Sequence, residues 1–236
     1  MFTRDHHQRI ALILQELNPE RLQSHGCLFG GGTAIALRYG EYRESVDIDF
    51  MVSNLAGYRE LRQLVRRDNS LASLWKSTSP PIQEEREPLT DQYGIRTRLS
   101  IKGVSVKFEI VLEGRISLDQ PSLSDQVCGI SCLTVGDMAC SKLLANSDRW
   151  NDDSVFSRDI LDLAHLPLKR VVLAAAISKS EAAYGTSIRV DFNKAVDKLK
   201  RQPGWLERCQ TMLCIESPRA VLWQKVKHLE RLVASC

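Results

Sequence analysis

Apolar residues recur at helical spacing over residues 4–17, where Ile10, Ile13, Leu14 and Leu17 form one stripe. Cys27-Leu28-Phe29 is a short apolar run that ends in Gly30-Gly31-Gly32, so a buried strand running into a glycine turn is predicted. Thr33 to Tyr39, rich in Ala and Leu, predicts a helix. Val46 to Val52 alternates, with Val46, Ile48 and Phe50 expected on one face and Asp47 and Asp49 on the other. Leu55 to Trp75 predicts a helix, closed off by Ser79-Pro80-Pro81. Tyr93 to Ile101 and Val104 to Leu112 alternate on either side of Lys102-Gly103, the pattern of a hairpin. Val127 to Leu133 suggests one more short strand.

From Thr134 the pattern changes to helical spacing. Thr134 and Asp137 approximate a capping box for a helix reaching Arg149, and a polar stretch, Asn151 to Ser154, precedes a second helix over 158–165. The remainder predicts helices broken at Gly185 and at Pro203-Gly204. The expected fold is α/β in the α+β sense, a small mixed sheet flanked by helices over residues 1–133, followed by a helical region over 134–236.

With 236 residues, 43% hydrophobic and 26% charged, the chain has the make-up of an ordinary soluble protein. Its longest apolar run, Val171 to Ile177, is too short to span a bilayer, and the polar first residues do not form a signal peptide, so no membrane association is expected. Seven cysteines without paired spacing fit reduced thiols in a cytoplasm; Cys128, Cys132 and Cys140 lack a fourth ligand at metal spacing. The net charge of +3 is unevenly spread. Residues 1–168 carry 19 Lys and Arg against 23 Asp and Glu, and residues 169–236 carry 13 against 6, a net of +7. That region either meets a polyanion such as RNA or is a solvated set of helix faces. Lys194, Lys198 and Arg201 share one helix face in it.

The chemistry concentrates near the glycine turn. Glycines between a strand and a helix let backbone N–H groups approach a phosphate, and the helix N-terminus favours its charge. Two carboxylates at i and i+2 of a strand, Asp47 and Asp49, suit Mg²⁺, which keeps part of its water and rides on nucleotide phosphates. A pair of such ions would stabilise both the attacking oxygen and the pyrophosphate leaving group. Glu109, opposite the apolar face of Val104 to Val111, is the candidate third carboxylate, with Glu113 as the alternative. Lys142 and Arg149 lie two helical turns apart with Asn146 between them, placed either to bind a triphosphate or to face solvent. Asp159 and Asp162 share a helix face and could orient these cations, Asp162 and Arg158 being the more structural of that group. Arg96 and Arg98 share a strand face, open to a cleft or to solvent. His6-His7 is expected on a helix surface, and Trp205 and Trp223 in packing.

Strand, small-residue turn, helix and a hydrophobic-flanked acid pair, in that order, resemble the DNA polymerase β-like nucleotidyltransferase superfamily. Gly31-Gly32-Thr33-Ala34, then Arg43 and Ser45 before Asp47-Ile48-Asp49-Phe50, look like the AbiEii-like nucleotidyltransferases of type IV toxin–antitoxin and abortive-infection systems. Met138 to Arg149, with its lysine and arginine, and Arg158-Asp159-Ile160-Leu161-Asp162-Leu163 are similar to that family's later motifs, and the resemblance covers about residues 25–168.

The resemblance implies an Mg²⁺-dependent transfer of a nucleoside monophosphate from an NTP to an acceptor hydroxyl. Asp47, Asp49 and Glu109 would be the metal and catalytic set. Gly31, Gly32, Thr33, Arg43, Ser45, Lys142 and Arg149 would hold the nucleotide, Lys142 also acting in catalysis, with Asp159 behind them. It further implies a toxin with a cognate antitoxin and an RNA acceptor such as a tRNA 3′ end, which the basic region after residue 168 would suit. A protein or a small molecule such as an aminoglycoside is the alternative acceptor. A catalytically silent nucleotide-binding module is the alternative outside enzymes.

Overall fold

The structure is a computed structural model that describes residues 2–77 and 80–236. Ser79, expected to help close the helix after Leu55, lies outside the described residues. The chain divides into two compact units, one of residues 1–37 and 45–134, the other of residues 38–44 and 135–236.

The first unit holds a six-stranded mixed sheet. Its strands are β1 (Leu28–Gly30), β2 (Ile48–Val52), β3 (Gln83–Glu84), β4 (Leu89–Thr90), β5 (Gly94–Ile101) and β6 (Val104–Leu112). The order is β1-β2-β6-β5-β3, with β4 also pairing to β5; β2 and β6 run parallel and the other pairs antiparallel. Helices α1 (Asp5–Glu16), α2 (Pro19–Ser24), α3 (Gly31–Arg38) and α4 (Leu55–Asp68) accompany it. The core face carries Ile48, Phe50 and Val52 of β2 and Val106, Phe108 and Ile110 of β6, all buried. Phe29, Phe50 and Phe108 form a tilted aromatic row with centroids 5.5 and 5.7 Å apart.

The β5–β6 hairpin turns at Lys102-Gly103, both at positive φ (50° and 75°), the mirror-image turn that suits the strand twist. The same device splits residues 127–133. Instead of one strand, β7 (Gln126–Val127) and β8 (Ile130–Ser131) pair around Cys128-Gly129 at φ 52° and 79°. The helix predicted to reach Trp75 stops at Asp68, because Asn69 takes the left-handed conformation and caps Val65. Residues 72–74 form a separate 3₁₀ turn. β2 begins two residues later than expected. Val46 lies ahead of it and is 42% exposed, so it does not share the apolar face of Ile48 and Phe50, and Asp47 lies just before the strand rather than in it.

The second unit is helical: α5 (Val135–Arg149), α6 (Arg158–His165), α7 (Arg170–Tyr184), α8 (Ser187–Arg201), α9 (Trp205–Met212) and α10 (Arg219–Ala234). Gly185 (φ 63°) ends α7 and Gly204 (φ 70°) starts α9, as their sequence positions predict. A further break at 213–218, where Cys214 sits at φ 51° and Pro218 precedes the first turn of α10, separates α9 from α10 and is not among the predicted breaks. Among the described residues no helix is long and apolar enough to cross a membrane.

Candidate functional site

In the first unit the glycine turn is shaped by two close approaches. A Cβ at Gly30 would stand 2.7 Å from Leu133 Cδ1. Gly31 has φ +67°, and a Cβ there would stand 2.5 Å from Asp49 Oδ2. Only glycine combines that backbone conformation with that proximity. The Asp49 carboxylate therefore stands at the first residue of α3, where the helix dipole favours negative charge. Thr33 is fully buried and donates its hydroxyl to Ser45 Oγ at 2.8 Å, while the Ser45 N–H donates to His7 Nε2 at 3.2 Å. These bonds fix Ser45, two residues ahead of Asp47. Thr33 and Ser45, both expected to hold the nucleotide, are thus joined to each other through their hydroxyls. His7, expected on a surface, is fully buried; it shares the stripe of Ile10 and Leu14, three and seven residues on, which is the signal that placed it inside.

The register of the sheet decides which third acid neighbours Asp49. Asp49 pairs with Gly30 on one side and Glu109 on the other, and Glu109 pairs in turn with Arg96. Glu113 lies four residues further along, roughly 13 Å at strand spacing. It is buried and clamped by Arg115 at 2.7 and 2.9 Å. Burial raises its pKa, yet the Arg115 bonds outweigh that and hold its carboxyl below the usual range. The register thus places Glu109, rather than Glu113, beside Asp49. The Glu109 carboxylate is also engaged, by Lys107 Nζ at 2.7 Å and Arg96 Nε at 3.5 Å.

The donors fit Mg²⁺ in a limited way. Among the described residues no three His, Cys, Asp or Glu side chains are grouped to hold an ion, so a closed protein cage of Asp47, Asp49 and Glu109 is not formed. Two carboxylates, Asp47 and Asp49, the second drawn close to a glycine at a helix N-terminus, match the habit of Mg²⁺. That ion takes one or two carboxylates and completes its shell with water and substrate phosphates.

In the second unit the cations expected to meet a triphosphate are held in a buried network. Asp162, fully buried, accepts from Arg43 Nε at 2.6 Å and Nη2 at 3.0 Å, from Tyr42 Oη at 2.5 Å and from Lys142 Nζ at 2.6 Å. Asp159 accepts from Lys142 at 3.0 Å and from Arg149 at 2.8 and 3.0 Å. Arg43 and Lys142 are buried, whereas Arg149 keeps a third of its side chain exposed (33%). Burial raises the pKa of both acids, but the cations outweigh it: Arg43 and Lys142 hold Asp162 far below the carboxylate range, and Lys142 and Arg149 lower Asp159. Arg43 and Lys142, expected as nucleotide contacts, are each matched to carboxylates inside the unit. Asp159 sits between Lys142 and Arg149, the position expected of it.

Tyr42, which carries no motif signal in the sequence, stacks on His165 with centroids 3.8 Å apart and planes 7° from parallel. Burial pushes the His165 imidazole down to about 4, and its Nδ1 lies 2.7 Å from Leu161 O. Asp137, expected to cap α5, is fully buried and paired with Lys179 at 2.6 Å. Trp205 is buried and donates to Ser157 Oγ at 2.9 Å, a packing role as expected.

The basic stretch of α8 is largely neutralised. Lys198 is 9% exposed, pairs with Asp153 at 2.5 Å and lies 4.8 Å over the Trp205 ring. Lys194 pairs with Asp191 at 3.1 Å, Lys200 with Glu230, and Arg201 reaches Asp197 at 3.9 Å. Lys194, Lys198 and Arg201 therefore do not form the free cationic face that their spacing suggests.

A family model for the nucleotidyl transferase AbiEii toxin of type IV toxin–antitoxin systems matches residues 12–229. A crystal structure of a candidate nucleotidyltransferase from H. pylori is similar with TM-score 0.53 and 16% identity, over 97% of this chain and 93% of that one. The crystal structure of JHP933 from Helicobacter pylori is similar with TM-score 0.44 and 17% identity, over 100% and 97% of the two chains. No curated protein sequence matches this one significantly.

Proposed function

Since the chain belongs to the AbiEii nucleotidyltransferase toxin family of type IV toxin–antitoxin systems, we propose that it moves a nucleoside monophosphate from an NTP to a hydroxyl of RNA, such as a tRNA 3′ end, and that a cognate antitoxin restrains it. The observation that carries this reading is the contact of Asp49 with Gly31. A carboxylate, a glycine without a Cβ and the N-terminus of α3 meet at one point, which suits a metal-bound phosphate. Asp47 and Asp49 are the residues that would hold Mg²⁺. When bound, the ion would supply charge neutralisation for the phosphates and for the departing pyrophosphate.

In this reading each part of the first unit has a task. Gly31 and Gly32 present backbone N–H groups to the phosphates. Asp49 stands ready beside them, and Thr33, Ser45 and His7 hold the segment that leads to Asp47. Glu109 borders Asp49 and, while tied to Lys107 and Arg96, balances the charge of the sheet face. Arg43, Lys142, Asp159 and Asp162 keep the second unit folded, and Arg149 is anchored there by Asp159.

The test is incubation of the protein with Mg²⁺, total RNA and each NTP labelled at the α- or the γ-phosphate. Transfer of α-label but not γ-label to RNA is expected. Transfer of γ-label, or α-label entering protein with none in RNA, contradicts the reading.

A further inference from the structure

The expected docking face for a polyanion on α8 is neutralised, but another surface is not. On α4 the residues Arg59, Arg62 and Arg66 follow i, i+3, i+7 spacing and so share one helix face. Arg62 donates to Asp91 O at 3.2 Å, and Arg66 donates to Thr90 Oγ1 at 2.8 Å and Thr90 O at 2.9 Å. These partners are neutral oxygens. Among the described residues none of the three arginines has a carboxylate partner within ion-pair distance. Arg59 and Arg66 are exposed and Arg62 half-buried.

The helix face borders a groove of about 660 Å³ whose lining includes Arg59, Arg62, Tyr93 and Leu55. Tyr93 is 64% exposed and Leu55 48% exposed. An exposed aromatic face beside a row of guanidinium groups without carboxylate partners is the equipment of a single-stranded nucleic-acid surface: the cations follow the phosphates and the ring stacks on a base. Arginine adds to this because its planar fork recognises phosphate with two bonds and also stacks. A duplex would present its bases already stacked and could not use Tyr93.

We propose that the α4–Tyr93 groove docks the single-stranded end of the RNA acceptor, with Arg59, Arg62 and Arg66 on its phosphates and Tyr93 stacked on a base. The inference rests on the reading of RNA as acceptor. It moves the docking surface from the basic second unit to the first one, whose net charge is close to zero.

The test measures anisotropy of a fluorescein-labelled single-stranded 12-nucleotide RNA with the full chain at several salt concentrations, and MgATP binding alongside. The Arg59→Ala, Tyr93→Ala double variant alters only exposed side chains. It should weaken RNA binding roughly tenfold or more, the scale of losing one stacked base, with MgATP binding unchanged. The Arg59→Ala, Arg62→Ala, Arg66→Ala triple variant should flatten the log–log salt slope by about 2, at roughly 0.7 per phosphate contact. Arg201→Ala, on α8, should leave RNA affinity unchanged. If the triple variant loses stability through its lost bonds to Thr90 and Asp91, the double variant decides alone. Unchanged RNA binding by the double variant overturns the groove while leaving RNA as acceptor. Absence of RNA binding by the parent overturns both. Weakened binding to a poly-glutamate peptide with RNA binding intact also overturns the proposal, because the occupant would then be an acidic protein.

Discussion

Asp162→Asn changes one atom at the centre of the second unit, and its cost can be worked from the contacts it breaks. The carboxylate is fully buried and accepts four bonds, three of them from the charged groups of Arg43 and Lys142. The amide keeps the shape and one acceptor oxygen, but removes the negative charge and aims N–H groups at cations. Arg43 is then buried without a counter-charge, and Lys142 is left with Asp159 alone. Breaking a buried pair by removing one partner costs about 3–5 kcal/mol, because the remaining charge is stranded. For a chain of this size the thermal midpoint should fall by roughly 10 °C. Urea unfolding followed by circular dichroism measures it. Coupling is part of the expectation: Lys142→Met in the Asp162→Asn background should cost less than the sum of the single changes, since the two charges compensate each other. A single-variant cost below about 1 kcal/mol, or simple additivity, would refute the network as a stabilising unit. The pH sense is also fixed. A carboxylate depressed by its partners stabilises the fold above its unfolded value, near 3.9, and this contribution fades as pH falls from about 5 toward 2.

Three further outcomes follow from the same geometry. His165 is held neutral down to about 4, against about 6.5 unfolded, so the unfolded chain takes up a proton first as pH falls; stability should drop by about 3 kcal/mol between pH 7 and 4. In His165→Phe, which keeps a ring for Tyr42 to stack on, urea titrations at pH 7 and 5 should lack that share of the decline; an unchanged pH slope contradicts it. Gly31→Ala should cost about 1–3 kcal/mol in strain and weaken MgATP binding, because its Cβ would stand 2.5 Å from Asp49 Oδ2. Gly26→Ala, at φ +65° with nothing near its Cβ, should leave MgATP binding intact, and calorimetry on both separates strain from the site. Glu113→Gln removes the clamp on Arg115 without touching Asp49 and should preserve nucleotide transfer, measured as label incorporated into RNA; a large loss would restore Glu113 as a metal ligand.

Local chemistry was readable and distant pairing was not. Lys102-Gly103 announced the β5–β6 hairpin because turn geometry depends on a few adjacent residues, and the 158–165 helix appeared where its amphipathic pattern places it. The start of β2 is not legible in the pattern, because Val46 continues the alternation in sequence while lying outside the strand in space. The carboxylate beside the glycine turn was legible as a motif, but its contact with Gly31 depends on β1 and β2 lying side by side. The fate of the basic residues was the least legible. Arg43 meets Asp162 across 119 positions and Lys198 meets Asp153 across 45, so counting charge by region could not reveal which cations are already matched. The same blindness hid the arginines of α4, whose unit has a net charge close to zero yet leaves them without carboxylate partners.

The most direct test of the central claim is nucleotide transfer by Asp47→Asn and Asp49→Asn, measured with α-labelled NTP, Mg²⁺ and RNA, together with each variant's melting temperature. Both side chains are half-buried in a first unit whose core lies on the opposite face of β2, so the amides should fold with nearly unchanged midpoints. Transfer should fall by roughly 10²-fold or more in each, the scale of losing one electrostatic stabiliser of a phosphate. Parental transfer rates in both folded variants would contradict the assignment of this site.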